Sequence, residues 1–372
     1  MARTRFLHTA DLHLSRPFGF LPPALAEERR QDQRRTLAKI ADVAIEKNVD
    51  IVLVSGDLFD TPDPDPTDVE AVIREFTRIT EAGKLIFTIP GNHDHIGQNS
   101  IWQRMSINGL HVFMETEWNS MILDDFGVKI YGIAFDRGKS ERRAFTGLEI
   151  DPGLKSIVMV HASYESFGTQ LDKYHPFSAD ELAQTHTSYA AIGHYHKFNP
   201  IVDSKHHSCA CYPGTPEGIS FDTAETGSRF VVIGEIGDDV GASIEPVKIN
   251  RKTMKCQDFD CTSFQSEANL LDAVRIICEQ NAIIQLKLSG SAPAELASAI
   301  SSLPERFKDS CHYISLAAGG LSLLNDLPDI DITIRGRYYK HMLEQIENAV
   351  DEDRKKLLRK SLELGLTALG GA

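Results

Sequence analysis

Short runs of aliphatic residues alternate with longer segments of helical periodicity in the part of the chain before Tyr212. Runs of this kind predict strands buried on both faces, and the amphipathic segments between them predict helices. The alternation is typical of an α/β sheet with helices on its faces. The predicted strands are 5–9, 51–55, 85–89, 130–134, 156–160 and 190–192. The predicted helices are 24–48 and 66–82, the second entered through the proline-rich stretch 61–66.

The pattern changes after Tyr212. Residues 229–236 and 243–248 are predicted antiparallel strands joined through glycine and aspartate turns, and we expect them to close the second sheet of the same domain. From Met254 onward the order is strand, helix, strand, helix, strand, which predicts a small α+β domain. Its predicted helices are 270–279 and 295–303, and its central strand is 283–288.

The end of the chain carries two predicted helices, 338–349 and 351–364, which are rich in charge pairs. Five leucines would give the second helix an apolar stripe: Leu357, Leu358, Leu362, Leu364 and Leu366. Docking of this stripe on the rest of the chain is the default interpretation. A partner-binding helix is the alternative.

The chain length, 372 residues, exceeds what one hydrophobic core usually organises. We therefore predict a larger domain at 1–250, a small α+β domain at 251–328 and a helical segment at 329–372. Hydrophobic residues make up 42% of the chain and charged residues 25%, which is the usage of an average globular protein. The composition gives no reason to expect extended disorder.

The N-terminal stretch is basic, but His8, Asp11 and His13 interrupt its apolar positions, so it lacks the core of a signal peptide. No apolar run is long enough to predict a membrane span. The six cysteines show no framework spacing, which favours reduced thiols. We expect a cytoplasmic protein.

A cluster of metal-capable residues near Tyr212 has two interpretations. His206, His207, Cys209 and Cys211 have the residue types of a zinc site. Their spacing is too tight for the usual tetrahedral loop geometry, so an alternating strand that ends at Tyr212 is the favoured interpretation.

The formal net charge of −14 is unusual for a nucleic-acid binder, because affinity for DNA depends largely on Lys and Arg that neutralise phosphates. Two local stretches, 29–35 and 137–143, are basic although the chain as a whole is acidic. Each taken alone is best interpreted as a solvated helix or loop face. Bound divalent metals would add positive charge that a residue count omits.

Side chains that can bind metals occur where the predicted strands end. In chain order they are Asp11 and His13, Asp57, Asn92 and His93, His161, and His194 and His196. A single fragment such as Gly-Asn-His-Asp has an ordinary explanation as a turn, and a lone histidine is more often structural. However, the carboxyl ends of strands in α/β sheets converge on one crevice. The recurrence of such residues at five strand ends therefore predicts a metal site.

The residue types indicate what such a site would do. Phosphodiester hydrolysis needs a hydroxide near neutral pH and compensation for negative charge on the phosphoryl oxygens, and two metals about 3.5–4 Å apart supply both. One carboxylate must bridge the metals, and Asp57 is the candidate. Imidazole, carboxylate and amide ligands suit manganese, iron, cobalt or zinc, and the number of nitrogens argues against a pure magnesium site. Ligand type alone leaves these four metals open.

The series of fragments resembles the calcineurin-like metallophosphoesterase superfamily. The resemblance rests on Asp11-Leu-His13, Gly56-Asp57-Leu-Phe-Asp60, Gly91-Asn92-His93-Asp94, His161 and Gly193-His194-Tyr-His196. The opening Phe6-Leu-His-Thr-Ala-Asp-Leu-His13 and the segment Tyr212-Pro-Gly-Thr-Pro-Glu-Gly218 are similar to one branch, the SbcD-type DNA repair exonucleases. The ending around 333–337 resembles the bacterial YhaO-like members of that branch.

The resemblance implies a fold and a set of roles. It implies a four-layer α/β/β/α sandwich as the catalytic domain, a small α+β cap that faces DNA, and C-terminal helices. One metal would be held by Asp11, His13, Asp57 and His196, and the other by Asp57, Asn92, His161 and His194. His93 would stand beside the metals and give a proton or hydrogen bond to the leaving oxygen, while Asp60 and Asp94 would orient the imidazoles.

The resemblance also implies partners: DNA, a coiled-coil ATPase of the SbcC or YhaN kind, and a second copy of the chain in a homodimer. The ATPase could supply basic surface that this chain lacks and could receive the C-terminal apolar helix. Three functions remain open from sequence. They are a manganese-dependent DNA exonuclease or endonuclease, a small-molecule or nucleotide phosphodiesterase or phosphatase on the same fold, and a non-catalytic assembly subunit.

Overall fold

The structure is a computed structural model that divides into two compact units, residues 1–255 and 256–372. It describes residues 3–98, 100–137, 139–167, 174–203, 208–237, 241–264, 266–293, 296–324, 334–349 and 351–369. His206 and His207, which belong to the segment that the sequence favours as a strand ending at Tyr212, lie outside these ranges, as does Thr333. Within them, no helix is both long and apolar enough to cross a membrane.

The first unit is built around parallel strands and crossover helices at the predicted aliphatic runs, and antiparallel strands are added at three sheet edges. Its strands are β1 (Thr4–Thr9), β2 (Ile51–Ser55), β3 (Leu85–Ile89), β4 (Leu110–Val112), β5 (Asn119–Leu123), β6 (Val128–Gly132), β7 (Lys155–His161), β8 (Tyr189–Gly193), β9 (Asn199–Asp203), β10 (Ser208–Tyr212), β11 (Phe230–Ile236) and β12 (Ala242–Lys248). Its helices are α1 (Pro23–Glu46), α2 (Pro66–Glu81), α3 (Ile101–Arg104) and α4 (Ala179–Gln184), and short 3₁₀ turns cover Asp124–Phe126 and Glu165–Phe167. The predicted bounds of β2 and β3 are confirmed, whereas β6 begins and ends two residues before the predicted strand at 130–134.

The strands form two sheets. The first has the order β12-β11-β1-β2-β3-β4, with β1 to β4 parallel. The second has the order β5-β6-β7-β8-β10-β9. The prediction that 229–236 and 243–248 close the second sheet is wrong, because β11 pairs antiparallel with β1 and β12 pairs with β11. The alternation of apolar residues shows that such a strand is half-buried, but it does not show which sheet edge the strand joins.

Three apolar clusters separate four layers in the first unit. The outer cluster packs α1 and α2, through residues such as Leu37 and Phe76, onto the first sheet. The central cluster lies between the sheets and joins Phe6 and Phe87 to Met159. The third cluster packs α4 and its neighbouring loops onto the far face of the second sheet. This arrangement confirms the expected α/β/β/α sandwich.

The second unit follows the predicted strand and helix alternation. Its elements are β13 (Thr253–Asp260), whose first three residues belong to the first unit, a 3₁₀ turn at Cys261–Ser263, α5 (Glu267–Ile277), β14 (Ala282–Pro293), α6 (Ala297–Ser301), α7 (Leu303–Arg306) and β15 (Tyr313–Leu324). The strands have the order β13-β14-β15, and one face of this sheet is covered by a core that includes Leu270, Val274 and Leu303. That the unit faces DNA stays a prediction.

Two helices end the chain, α8 (Ile334–Glu347) and α9 (Glu352–Ala368). They pack on each other, and the Tyr338 hydroxyl donates a hydrogen bond of 2.7 Å to the carbonyl of Ser361. The predicted leucine stripe of α9 divides: Leu362 is buried, whereas Leu357 and Leu364 are exposed. A helical repeat places residues 357 and 364 on a different face from 358 and 362, so only part of the stripe is buried.

Candidate metal centre

The metal-capable side chains lie together at the carboxyl ends of neighbouring strands. Asp11 and His13 follow β1, Asp57 follows β2, and Asn92 and His93 follow β3; His161 is the last residue of β7, and His194 and His196 follow β8. Three overlapping groups have ligand atoms within 4.8 Å of one another. The groups are Asp11, His13 and His196; His13, Asp57 and His93; and Asp11, Asp57 and His161. The first sheet and the second sheet therefore both contribute to one cluster.

The backbone is strained at several of these positions. Asp11, His13 and Asp57 have φ angles of 54°, 47° and 50°, and His194 has a φ of 105°. Residues with a Cβ seldom adopt positive φ, because the conformation costs roughly 1–3 kcal/mol, and such residues concentrate at functional sites. Each of these turns redirects a side chain at the end of its strand. Strain at four of the candidate ligands is what a site of fixed geometry requires.

Asp57 lies between two imidazoles. Its Oδ2 is 3.2 Å from Nε2 of His161 and 3.7 Å from Nε2 of His13. Burial raises the pKa of Asp57, but the adjacent His161 and His13 outweigh burial and hold this pKa well below its usual range. Burial lowers the pKa of His161, but Asp57 and Asp11 outweigh that effect and raise it to about 9. The carboxylates thus create a strong preference for positive charge at the centre of the cluster.

His13 and His196 face each other through the same ring atom. Nδ1 of His13 lies 2.9 Å from Oδ1 of Asp60, and Nδ1 of His196 is hydrogen-bonded to Oε1 of Glu225. A carboxylate accepts a hydrogen bond, so each Nδ1 carries its hydrogen, and a neutral ring then has its lone pair on Nε2. The two Nε2 atoms are 3.2 Å apart. Two lone pairs at this distance repel each other unless a proton or a metal cation lies between them.

Asn92 joins the other two histidines. Its Oδ1 lies 3.0 Å from Nε2 of His161 and 3.3 Å from Nδ1 of His194. The remaining ring nitrogen of His161, Nδ1, donates to the carbonyl of Ser55 at 3.0 Å. The backbone N–H of His194 donates to the carboxylate of Asp11 at 3.0 Å. Imidazole nitrogens and the oxygens of a carboxylate and an amide therefore converge, which fits divalent cations with mixed nitrogen and oxygen ligation.

His93 occupies the mouth of this cluster. Its backbone N–H donates to Oδ1 of Asp57 at 2.9 Å, and its ring packs edge-on against His13 with centroids 4.8 Å apart. The side chain is 42% exposed, unlike the buried His13. An imidazole that is held at the backbone and open to solvent can exchange a proton with a bound substrate.

The two aspartates predicted to orient imidazoles differ in what they contact. Asp60 accepts a hydrogen bond from His13, as described, and a further one from Arg16 at 2.9 Å. Asp94 instead accepts backbone N–H bonds from Gly91 at 2.7 Å and Phe59 at 3.1 Å. The hydrogen bond from Phe59 ties the loop after β3 to the loop after β2, and the role of Asp94 in orienting an imidazole stays a prediction.

Sequence reasoning missed Glu225, which holds His196, and Ser55, whose carbonyl holds His161. Glu225 lies in the loop between β10 and β11 and has no fixed spacing from the histidine it contacts. Every residue has a backbone carbonyl, so the residue type at position 55 does not indicate that its carbonyl accepts a hydrogen bond from His161. Neither could have been found without the fold.

The basic stretches at 29–35 and 137–143 are largely engaged in ion pairs. Arg29 is fully buried and bonded to Asp32 and Glu217, and Arg34 is bonded to Asp68. The second stretch pairs in the same way, Arg142 with Glu117 and Arg143 with Glu165 and Glu181. Both stretches are therefore mainly structural, and the arginines that remain exposed, such as Arg35 and Arg137, are few.

The four-layer fold and the cluster of metal-capable side chains are those of a metallophosphoesterase domain. Residues 4–198, more than half of the chain, match the model of the calcineurin-like phosphoesterase family, and the chain belongs to that family.

Among its relatives is the protein described as uncharacterized metallophosphoesterase YhaO of Bacillus subtilis, 29% identical over 220 residues, which covers 57% of this chain and 53% of that protein. The DNA double-strand break repair protein Mre11 of Sulfurisphaera tokodaii is 30% identical over 202 residues, covering 53% and 50%. One subunit of the nuclease SbcCD of Bacillus subtilis is 24% identical over 258 residues, covering 59% and 63%. The chain thus spans about half to three fifths of the length of these relatives.

Proposed function

We propose that this protein is a two-metal phosphodiesterase that cleaves DNA as an exonuclease or endonuclease in DNA repair. The observation that carries the proposal is the facing pair of Nε2 atoms on His13 and His196, 3.2 Å apart, beside a carboxylate that contacts a second histidine. In the proposal Asp11, His13, Asp57 and His196 hold one metal, and Asp57, Asn92, His161 and His194 hold the other. Manganese is the expected metal, and iron, cobalt or zinc would suit the same ligands.

The metals, when bound, would supply a hydroxide near neutral pH and neutralise charge on the phosphoryl oxygens. The chain's own residues set the geometry around them. Asp60 and Glu225 orient His13 and His196 through Nδ1, and Ser55 orients His161. His93 is placed at the open side of the cluster, where its imidazole can donate a proton to the leaving oxygen.

The names of two relatives support DNA as the substrate, since one is a DNA double-strand break repair protein and the other a nuclease subunit. We extend the proposal to a partner, a coiled-coil ATPase of the SbcC or YhaN kind, to a homodimer, and to a cytoplasmic location. The exposed Leu357 and Leu364 of α9 are apolar surface that such a partner could cover. The unit at 256–372 would then include the part that faces DNA.

A small-molecule or nucleotide phosphodiesterase is the second candidate, and a specific observation favours it. The net charge is −14, and most arginines of the two basic stretches are already paired with carboxylates. Little free positive charge is therefore left on those stretches for a long polyanion. A non-catalytic assembly subunit is the third candidate, and it would keep the metal cluster for structure alone.

One set of assays separates the three candidates. The metal-stripped protein is reconstituted with manganese and given linear duplex DNA, single-stranded DNA and bis(p-nitrophenyl) phosphate. Shortening of either DNA, lost in His93→Ala, supports the nuclease. Hydrolysis of the small diester with both DNAs intact supports the second candidate and contradicts the first. Bound manganese without hydrolysis of any substrate supports the assembly subunit.

A further inference from the structure

We propose that Glu225 is a positioning residue that fixes the proton on Nδ1 of His196, and that Thr215 and Arg229 fix Glu225 in turn. The inference rests on the proposed metal site and adds residues to it that lie outside the ligand set. It also gives a purpose to the segment Tyr212-Pro-Gly-Thr-Pro-Glu-Gly218, which the proposed chemistry does not otherwise use.

Glu225 is a buried carboxylate whose two oxygens have different partners. Oε1 accepts the hydrogen of His196 Nδ1. Oε2 accepts hydrogen bonds from the hydroxyl of Thr215 at 2.9 Å and from the backbone N–H of Ile219 at 3.2 Å. The residue is 3% exposed, so water does not compete freely for either oxygen. The carboxylate is therefore held in one orientation by three donors.

Arg229 decides the direction of the hydrogen bond between Thr215 and Glu225. Its Nη2 lies 2.9 Å from the hydroxyl oxygen of Thr215, and its Nε lies 3.0 Å from the Thr215 carbonyl. A guanidinium only donates, so the hydroxyl must accept from Arg229 and has its own hydrogen left to give to Glu225. Arg229 is itself held by the carbonyl of Ala224 at 2.7 Å.

The chain of donors leaves one arrangement for the imidazole. Arg229 donates to Thr215, Thr215 donates to Oε2 of Glu225, and Nδ1 of His196 donates to Oε1. The neutral ring then has its lone pair on Nε2, the atom that faces His13. The segment is also tied to the histidine directly, because the backbone N–H of Thr215 donates to the carbonyl of His196 at 3.1 Å. Position and tautomer of His196 are thus set together.

Glu217, in the same segment, faces a separate network and offers a control. It accepts hydrogen bonds from Arg29 at 2.9 Å and from the hydroxyl of Thr36 at 2.9 Å. Thr36, like Thr215, is buried and bonds a buried carboxylate through its hydroxyl. The hydroxyl of Thr36 donates to Glu217 and not to Glu225, the carboxylate that contacts His196.

The test uses Glu225→Gln, Thr215→Val, Thr215→Ser and the control Thr36→Val in the full chain. In the metal-free protein, long-range ¹H–¹⁵N correlation NMR should show His196 as the Nδ1–H tautomer in wild type. In Glu225→Gln the amide oxygen is engaged by Thr215 and Ile219, so its NH₂ group faces Nδ1 and moves the ring proton to Nε2. Thr215→Val should give a mixture of tautomers, while Thr215→Ser and Thr36→Val should match wild type.

Calorimetric titration with manganese alone is the second readout. Glu225→Gln should weaken one of the binding steps by about 10- to 100-fold, the usual loss when a residue that orients a metal ligand is removed. Thr215→Val should also bind manganese more weakly, and Thr215→Ser should bind it nearly as tightly as wild type. Thr36→Val should bind manganese as wild type does. If Glu225→Gln does not fold, the comparison of Thr215→Val with Thr215→Ser in the same two measurements decides the result.

Two outcomes overturn the inference. One is a wild-type His196 that carries its proton on Nε2; the other is manganese binding that is unchanged in both Glu225→Gln and Thr215→Val. In the second case the metal site and the proposed function stand, but the positioning role is lost. If wild type binds neither manganese nor iron, cobalt or zinc, the proposed function fails, and the NMR result still decides whether Glu225 sets the tautomer.

Discussion

His161 is held at both ring nitrogens by residues from the end of β2. Its Nδ1 donates to the carbonyl of Ser55 at 3.0 Å, and its Nε2 lies 3.2 Å from Oδ2 of Asp57. His161 itself ends β7, which belongs to the other sheet. The cluster is therefore built across the boundary between the two sheets, and its geometry depends on how closely they approach.

Gly56 permits this approach. It has a φ of 88°, and a Cβ placed on it would lie 2.4 Å from Nδ1 of His161. Gly56→Ala should displace His161 and weaken manganese binding, as measured by calorimetry, as well as lower the melting temperature. Gly83→Ala is the matched control, because Gly83 has a φ of 79° but open space around it. Both variants bear the backbone strain, roughly 1–3 kcal/mol, so equal manganese affinity in the two would contradict the steric argument.

His93→Ala should reduce kcat by about 10²- to 10⁴-fold on whichever of the DNA and small-diester substrates the wild type hydrolyses. This is the range for loss of a general acid. Manganese stoichiometry and melting temperature should change little, because the side chain is 42% exposed and is not among the proposed ligands. His95→Ala is the control: it removes a neighbouring imidazole whose Nδ1 lies 3.1 Å from the carbonyl of Ile96. Comparable loss of activity in both variants would argue against a specific role for His93.

Manganese should stabilise the wild-type protein against unfolding. At a free concentration 100 times Kd, a single site adds about 2.7 kcal/mol, since the metal binds the folded chain in preference to the unfolded one. Asp57→Asn removes the charge between His13 and His161, so its melting temperature should respond weakly to manganese or to a chelator. Asp63→Asn, at a carboxylate that is 92% exposed, should respond as wild type does. If manganese raises the melting temperature of Asp57→Asn as much as that of wild type, Asp57 is not a ligand of the metal.

The sequence was sufficient to predict the strand ends that carry the cluster and insufficient to predict what surrounds them. Buried parallel strands such as β2 and β3 are mostly apolar, so their ends can be recognised where Gly56 and Gly91 introduce polar loops. Glu225 and Ser55 act through contacts between residues far apart in sequence, and such contacts follow from sheet pairing. The misplacement of β11 and β12 has the same origin, because the choice of sheet edge depends on packing of the whole unit.

The buried arginine of α1 should matter for stability. Arg29 donates to Asp32 at 3.1 Å, to Glu217 at 2.9 Å and to the carbonyl of Gly218 at 3.0 Å. Arg29→Met leaves two buried carboxylates short of a cation and should cost about 3–5 kcal/mol of unfolding free energy in denaturant titrations. The exposed neighbour Arg35 is 3.6 Å from Asp32, and Arg35→Met should stay within about 0.5 kcal/mol of wild type. Equal losses would show that burial of the pair is not what determines the effect.

The ion pair of Arg143 and Glu181 should make stability depend on acid pH. Nε of Arg143 donates to Glu181 at 2.8 Å, and Glu181 also caps α4 by accepting the backbone N–H of Ser178 at 2.7 Å. The hydrogen bond from Arg143 is the largest cause that lowers the pKa of Glu181, from 4.5 to about 2. A carboxylate with a lowered pKa in the folded state stabilises the protein fully above its unfolded pKa, and this contribution is lost as the pH falls toward the folded pKa.

Glu181→Gln tests this dependence. The difference in melting temperature between wild type and Glu181→Gln should be largest near neutral pH and should shrink between about pH 4.5 and pH 2. The effect is modest because both side chains are about one third exposed and solvent screens the pair. Glu117→Gln is the comparison, because its bond to Arg142 is more exposed, and this variant should show a smaller difference at every pH. A difference for Glu181→Gln that grows on acidification would mean that the carboxylate does not stabilise the fold in its charged form.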